Sequence, residues 1–151
     1  MQNCPKPSIR CMYQWYKRAS VCYAYLSDVA SLGFDFAQSR WFARGWTLQE
    51  LIAPSSLRFF GRNWCYLGSK KRHLSLLSKI TGIDVAVLDG KDPSMCSVSR
   101  RMSWASERQT TRAEDIAYCL MGLFDVKHAF TLWRGRQGLR QTSTRDYEGL
   151  R

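Results

Sequence analysis

The chain has 151 residues, which is enough for one domain with one hydrophobic core. Apolar residues make up 45% of it and aromatic residues 13%, so the composition excludes an intrinsically disordered chain. No apolar run approaches the length of about 18 residues that a membrane span needs. The net charge of +11 would suit nucleic acid or an anionic surface.

The basic residues are unevenly placed along the chain. About a third of the excess lies in residues 127–151, and the run Lys70-Lys71-Arg72 is typical of a solvated face. No zinc-finger, RNP or KH signature accompanies the charge. We therefore expect no specific nucleic-acid partner.

Cysteine usage favours a cytoplasmic protein. The six cysteines form no C-x-x-C pair, and neither His73 nor His128 lies near one of them in sequence, so we expect no metal site. The first ten residues lack the apolar stretch of a signal peptide, and a disulfide framework would need a secreted context. Cys22 and Cys119 lie in apolar runs and are predicted to be small core residues.

The first half of the chain predicts a helix, a strand and a second helix. Residues 10–20 have helical spacing of apolar groups, and residues 21–26 form a short apolar run typical of a buried strand. A loop is expected from there through Gly33. Residues 39–52 predict the second helix, which a proline ends. Gly45 within it costs about 1 kcal/mol against alanine, so the helix is expected to bend or begin again there.

The next segment predicts strands and an amphipathic helix. Residues 57–60 are predicted to be a strand that continues at 64–67 after a turn. Residues 71–81 place leucines and an isoleucine on one helical face, and Gly82 is expected to end that helix. Residues 83–95 contain glycine, proline and aspartates and are predicted to be mostly loop.

The last segment predicts two further helices. Residues 97–106 favour a short one, and a longer one follows a capping box formed by Thr111 and Glu114, ending near Asp125. The alternation of helices and strands predicts an α/β fold with a small, partly parallel sheet flanked by helices.

Three long and unusual stretches carry a family resemblance. They are residues 15–29, which contain WYKRA and CYAYLSDV, residues 44–51, RGWTLQEL, and residues 110–124, TTRAEDIAYCLMGLF. In this order they resemble the HET (heterokaryon-incompatibility) domain of filamentous fungi, over residues 11–126. The resemblance implies a module of fungal self/non-self recognition and programmed cell death. Such a module would act through other proteins or self-association, or through nucleotide cleavage.

The resemblance reaches neither end of the chain. The family's opening strand is absent, so we expect a domain truncated at its N-terminus, with residues 1–10 as a lead-in outside the family. Residues 127–151 are expected to be an irregular basic tail. One permitted set of codons for residues 128–147, read one nucleotide later, gives the family-like ending Met-Pro-Leu-Leu-Tyr-Gly-Glu-Gly, which predicts a frameshift. These altered ends leave open that the chain is a non-functional gene remnant.

The resemblance also implies a candidate catalytic residue, Glu50. HET domains are similar at fold level to TIR domains, which implies a partial, distantly TIR-like layered fold. In TIR domains that cleave NAD, a glutamate follows a Ser-x-Trp start on a helix, and the run from Ser39 to Trp41 ahead of Glu50 looks similar, with a longer spacing. NAD is then the possible substrate of intact relatives, no cofactor is certain, and the truncated chain itself is expected to be inactive. The carboxylate would stabilise an oxocarbenium-like transition state. Alternatively, Glu50 pairs with Arg44 or caps a neighbouring group.

Four other residues are candidates for binding a ligand. Asp28 follows the carboxyl end of a predicted strand, where α/β folds bind ligands, but it could equally cap the next loop. Arg112, with Arg108, could contact a phosphate, but the favoured interpretation is a structural ion pair with Glu114 or Asp28. Trp46 could line a pocket or pack in the core. Arg44 lies beside Trp46 in the second stretch of the resemblance and is the fourth candidate.

Overall fold

The structure, a computed structural model, describes residues 12–124. Ten helices and strands follow one another along this part of the chain, with short 3-10 turns between some of them. They are α1 (Met12–Arg18), β1 (Cys22–Tyr25), α2 (Phe34–Ala37), α3 (Thr47–Ile52), β2 (Leu57–Phe60), β3 (Tyr66–Ser69), α4 (Leu74–Thr81), α5 (Val85–Leu88), α6 (Val98–Ser103) and α7 (Ala113–Met121). Among these residues, no helix has the length and apolar character needed to cross a bilayer.

The three strands form one sheet in the order β1-β2-β3. β1 and β2 pair in parallel, with Cys22 opposite Leu57. β2 and β3 pair antiparallel, and the register shifts between Phe59 and Phe60. Parallel strands need a long crossover, and the segment containing α2 and α3 supplies it. The prediction of an α/β fold with a small, partly parallel sheet is confirmed at this level.

Helices cover one face of the sheet. Because side chains alternate along a strand, Leu57 and Phe59 of β2 point to the same side and are fully buried. Phe59 packs edge-on against Phe36, with ring centroids 5.4 Å apart, and against Trp41 at 5.7 Å. Leu48 and Leu51 of α3 are also fully buried, as the predicted apolar face requires.

The second predicted helix is interrupted. A 3-10 turn over Arg40–Ala43 precedes α3, and the chain between them is extended at Arg44. Gly45 lies in this break, where its N–H donates to the carbonyl of Gln109 at 2.8 Å. A Cβ at Gly45 would collide with the side chain of Thr110. The expected break is therefore confirmed, and its structural reason is a close approach between two distant segments.

Other boundaries differ from the predictions. β3 begins two residues later than expected, because a 3-10 turn over Arg62–Trp64 occupies the connection. Within 83–95, predicted as mostly loop, α5 forms and buries Val87 and Leu88. These short helices are stabilised by tertiary burial, which no local sequence signal reveals.

The predicted capping box is wrong. The N-cap residue of α7 is Arg112, which makes no side-chain capping hydrogen bond. The hydroxyl of Thr110 instead donates to the carbonyl of Arg112 at 2.7 Å. Gly82, by contrast, ends α4 in the left-handed conformation at φ 69°, as predicted. The expected lead-in, the tail and the predicted helix end at Asp125 lie outside the described residues.

Candidate functional site

The three stretches that carry the family resemblance meet around α3. From α3, the Gln49 side-chain amide donates to the carbonyls of Tyr118 and Cys119 in α7, at 3.0 and 2.9 Å. On the other side of α3, the Tyr16 hydroxyl of α1 donates to Glu50 Oε1 at 3.1 Å. Segments just over 100 residues apart in sequence, at Tyr16 and Tyr118, thus form one packed unit through α3.

Glu50 is a partly buried carboxylate at the edge of this unit. Burial raises its pKa, although the hydrogen bond from Tyr16 and the charges of Arg44 and Arg108 oppose the shift. Among the residues that the structure describes, Glu50 forms no ion pair, so the alternative that it pairs with Arg44 is wrong. The partner Tyr16 was missed, since nothing local links residues 34 positions apart.

Arg108 has a structural position in the interior. Its Nε donates to the Trp104 carbonyl at 3.1 Å, and one terminal nitrogen donates to the Arg44 carbonyl and the Thr47 hydroxyl, both at 2.9 Å. Burial lowers its pKa to about 10. The expected ion pair with a carboxylate is wrong among the described residues, because Nε and one terminal nitrogen bond backbone carbonyls and a hydroxyl, while the other terminal nitrogen, Nη2, is buried without a partner. Arg108 holds the start of α3 against the segment before α7.

A cleft of about 400 Å³ opens at the carboxyl end of β1. This is the edge of a parallel pair where α/β folds usually bind ligands. Two of the predicted ligand-binding residues, Asp28 and Arg44, line the cleft, together with a tyrosine, a second arginine and a glutamine. The full lining comprises Tyr25, Leu26, Ser27, Asp28, Arg40, Trp41, Ala43, Arg44 and Gln109.

Asp28 also caps the 3-10 turn that faces it across the cleft. Its Oδ1 accepts from the Ser39 hydroxyl, and its Oδ2 accepts from the Arg40 N–H, both at 2.8 Å. The Arg40 guanidinium lies 3.6 Å from Oδ2. Partial burial alone would raise the pKa of Asp28, but these hydrogen bonds outweigh burial and lower the pKa. Asp28 thus has a structural partner, but it is the 3-10 turn at Arg40–Ala43 and not the next loop that it caps.

The remaining candidates lie elsewhere. Arg112 is exposed at the start of α7, and Trp46 is half-buried at the start of α3; neither lines the cleft. Glu50 does not line it either, so the sequence-predicted residues divide among separate places. Arg40 and Gln109 belong to the cleft and were missed, because only the fold brings their loops to the end of β1.

One basic residue of the run 70–72 is also buried. Lys70 Nζ donates to the carbonyls of Leu51, at 3.1 Å, and Pro54, at 2.5 Å. Burial lowers the pKa of Lys70 to about 8. The interpretation of this run as a solvated face is therefore wrong at Lys70, which satisfies the carbonyls at the end of α3.

The fold and the site define a small α/β module. The three stretches that carry the family resemblance meet around one short helix, α3. Over 86% of its length, in an alignment of 140 residues, the chain is 40% identical to part of the vegetative incompatibility protein HET-E-1 of Podospora anserina. The chain spans 10% of that protein's length. No protein-family model matches the chain. No solved structure matches it. The similarity relates the chain to a heterokaryon-incompatibility protein, in agreement with the resemblance seen in its sequence.

Proposed function

We propose that the chain is a heterokaryon (vegetative) incompatibility module that takes part in self/non-self recognition and programmed cell-death signalling. The observation that carries this proposal is the 40% identity to HET-E-1 over 86% of the chain. The convergence of the three stretches around α3 supports it, because the similar segments form one packed unit. In this proposal residues 11–126 are the module, which works in the cytoplasm by associating with other proteins or with itself.

A chimera tests the proposal directly. In Podospora anserina, the segment of HET-E-1 that matches this chain is replaced by the chain, and incompatibility is scored between appropriate strains. Retention of the reaction is expected. A matched chimera carrying Phe59→Ala, which removes a fully buried ring, is expected to lose it. Loss of the reaction in a chimera that accumulates to the normal level would contradict the proposal and favour a non-functional remnant.

A second candidate function is hydrolysis of NAD with Glu50 as the catalytic residue. Its support is the environment of Glu50, a partly buried carboxylate that accepts a hydrogen bond from Tyr16 and has a raised pKa. Perturbed carboxylates of this kind are common at catalytic sites. The fold-level analogy with TIR domains belongs to this candidate. Since Glu50 does not line the cleft, NAD would have to reach it from the α1 side.

An assay of nicotinamide release from NAD tests this candidate on a repaired, full-length version, in which the opening strand is restored and the tail is in frame, because the truncated chain itself is expected to be inactive. Release is expected from the repaired version, with a loss of at least about 100-fold in Glu50→Gln. Glu107→Gln, at an exposed position, is the matched control and is expected to keep full activity. Equal release by both variants would remove Glu50 from the reaction. No release from a folded chain would leave association as the mode of action.

The proposed frameshift in residues 127–151 has its own test. The gene's codons for residues 128–147 are expected to give the family-like ending when read one nucleotide later. Codons incompatible with that reading would reject the frameshift, whatever the outcome of the functional assays.

A further inference from the structure

The face of the sheet opposite the helices is lined with aromatic rings. We call it the aromatic face; it comprises Tyr23, Tyr25, Phe60, Trp64 and Tyr66. The Phe60 ring lies 5.4 to 5.7 Å, centroid to centroid, from the rings of Tyr23, Tyr66 and Trp64. Tyr25 and Trp64 are 4.9 Å apart. Their rings form a continuous surface, and four of the five residues are exposed.

Trp64 is held on this face by an unusual backbone. Both Asn63, at φ 55°, and Trp64, at φ 58°, adopt the left-handed conformation in the connection between β2 and β3. A bulky residue rarely adopts it, because its Cβ crowds the backbone. The indole is nevertheless 63% exposed, so burial does not explain the conformation. Strain that positions an exposed ring is typical of a binding surface.

The charge on and around the aromatic face is positive. Arg58 lies on the face itself, paired in register with Tyr23 and Ser69. Arg62 follows at the end of β2 and is exposed. No residue of the aromatic face is acidic, and neither Arg58 nor Arg62 forms an ion pair within the described part of the chain.

The positive charge continues into the cleft at the end of β1. Tyr25 belongs both to the aromatic face and to the lining of the cleft, where Arg40 and Arg44 also lie. The Arg40 side chain is 84% exposed, and its Nε lies 3.6 Å from the carboxylate of Asp28, which also lines the cleft. With this pair offset, Arg44 leaves the cleft with a net positive charge beside Tyr25.

We propose that the aromatic face binds single-stranded nucleic acid without sequence preference. Bases stack on the exposed rings, Trp64 foremost, and phosphates pair with Arg58, Arg62 and the arginines of the cleft. This mode needs no sequence-reading motif. A second copy of the chain fits the face less well, because a two-fold contact would bury the charge of Arg58 close to its own copy.

Fluorescence anisotropy with the full chain and a labelled oligothymidylate of about 12 nucleotides tests the proposal. Trp64→Asn removes the ring and keeps a residue that tolerates the left-handed conformation. It is expected to weaken binding at least about tenfold. Arg58→Gln is expected to reduce the slope of log affinity against log salt by about 0.7, the value for one phosphate contact on a single strand. A duplex of the same length is expected to bind more weakly, since its bases are already stacked.

Trp15→Gln is the matched control, because Trp15 is an exposed tryptophan on α1 and is not part of the aromatic face. It is expected to bind like the unmodified chain. Unchanged binding by Trp64→Asn would overturn the proposal, since charge elsewhere in the chain would then account for any affinity. A dimer in sedimentation that Trp64→Asn dissociates, without an effect on the oligonucleotide, would assign the face to a second copy and also overturn it.

Discussion

The two faces of the sheet differ although similar residues build them. Phe59 and Phe60 are neighbours in β2, yet Phe59 is fully buried among Phe36, Trp41 and Phe42. Phe60 instead packs among the rings of the aromatic face. The high aromatic content of the chain therefore divides between a core and a surface. Strand alternation decides the side on which each ring lies.

Polar side chains divide in the same way. On the helix-covered side, Gln49, Lys70 and Arg108 each donate to two backbone carbonyls, although Gln49 Oε1 and Arg108 Nη2 are buried without a partner among the described residues. On the open side, Arg58 is exposed and forms no ion pair among the described residues. The buried polar residues thus join segments of the fold, whereas Arg58 lies on an open surface.

Replacing Phe59 or Phe60 by alanine gives the largest expected difference in stability between the two faces of the sheet. Phe59→Ala should lower the free energy of unfolding by about 3–5 kcal/mol, because it leaves a cavity among packed rings. Phe60→Ala should cost about 1 kcal/mol, since its ring contacts only partly exposed neighbours. Urea titrations followed by circular dichroism measure both. Similar losses in the two variants would show that the open face is a second core.

The layer that covers the buried face depends on the close approach at Gly45. Gly45→Ala should destabilise the fold by about 1–3 kcal/mol, because the new methyl group would collide with Thr110. Gly33→Ala is the matched control, since no atom lies within 4 Å of the corresponding Cβ. Its effect should stay within about 0.5 kcal/mol in the same titration. Equal effects would show that Gly45 matters only through local backbone propensity.

Replacing Glu50, at the edge of the helix-covered side, should change the stability of the fold by a small amount that depends on pH. Glu50→Gln keeps an acceptor for Tyr16 and removes a carboxylate whose charged form is disfavoured by burial, so the variant should be more stable than the unmodified chain at pH 7. The pKa of Glu50 is raised on folding, so the folded chain takes up a proton before the unfolded chain as the pH falls. The unmodified chain then gains stability, and the difference in stability between Glu50→Gln and the unmodified chain should close towards pH 4.5.

Thermal unfolding of the unmodified chain and of Glu50→Gln, from pH 7 down to pH 4.5, measures the difference in their stability. The exposed Glu107→Gln variant serves as the reference, and its difference from the unmodified chain should not close in this way. A constant gap between Glu50→Gln and the unmodified chain would mean that the fold does not disfavour the Glu50 carboxylate, and the pKa support for a catalytic role would be lost.

Local patterns were sufficient for the order and type of the longer elements. Residues 21–26 predicted β1 from a short apolar run with aromatics, although the expectation of a buried strand is wrong on one face, where Tyr23 and Tyr25 are exposed. Residues 71–81 predicted α4 from one apolar face, although its first turn is a 3-10 turn. Gly82 marked the end of that helix because glycine adopts the left-handed conformation readily. The resemblance in residues 11–126 likewise pointed to the relation with a heterokaryon-incompatibility protein before any contact was known.

Contacts between distant segments decided the rest. Lys70 was predicted to be solvated within a basic run, but its buried ammonium donates hydrogen bonds to two carbonyls at the end of α3. Asp28 and Arg44 meet in one cleft while Glu50 lies outside it, because side-chain position depends on packing rather than on spacing along the chain. The sequence by itself determined the longer elements, since periodicity and turn residues act locally. Only the tertiary structure decided which polar groups are enclosed and which rings stay open, because burial depends on what packs against each face.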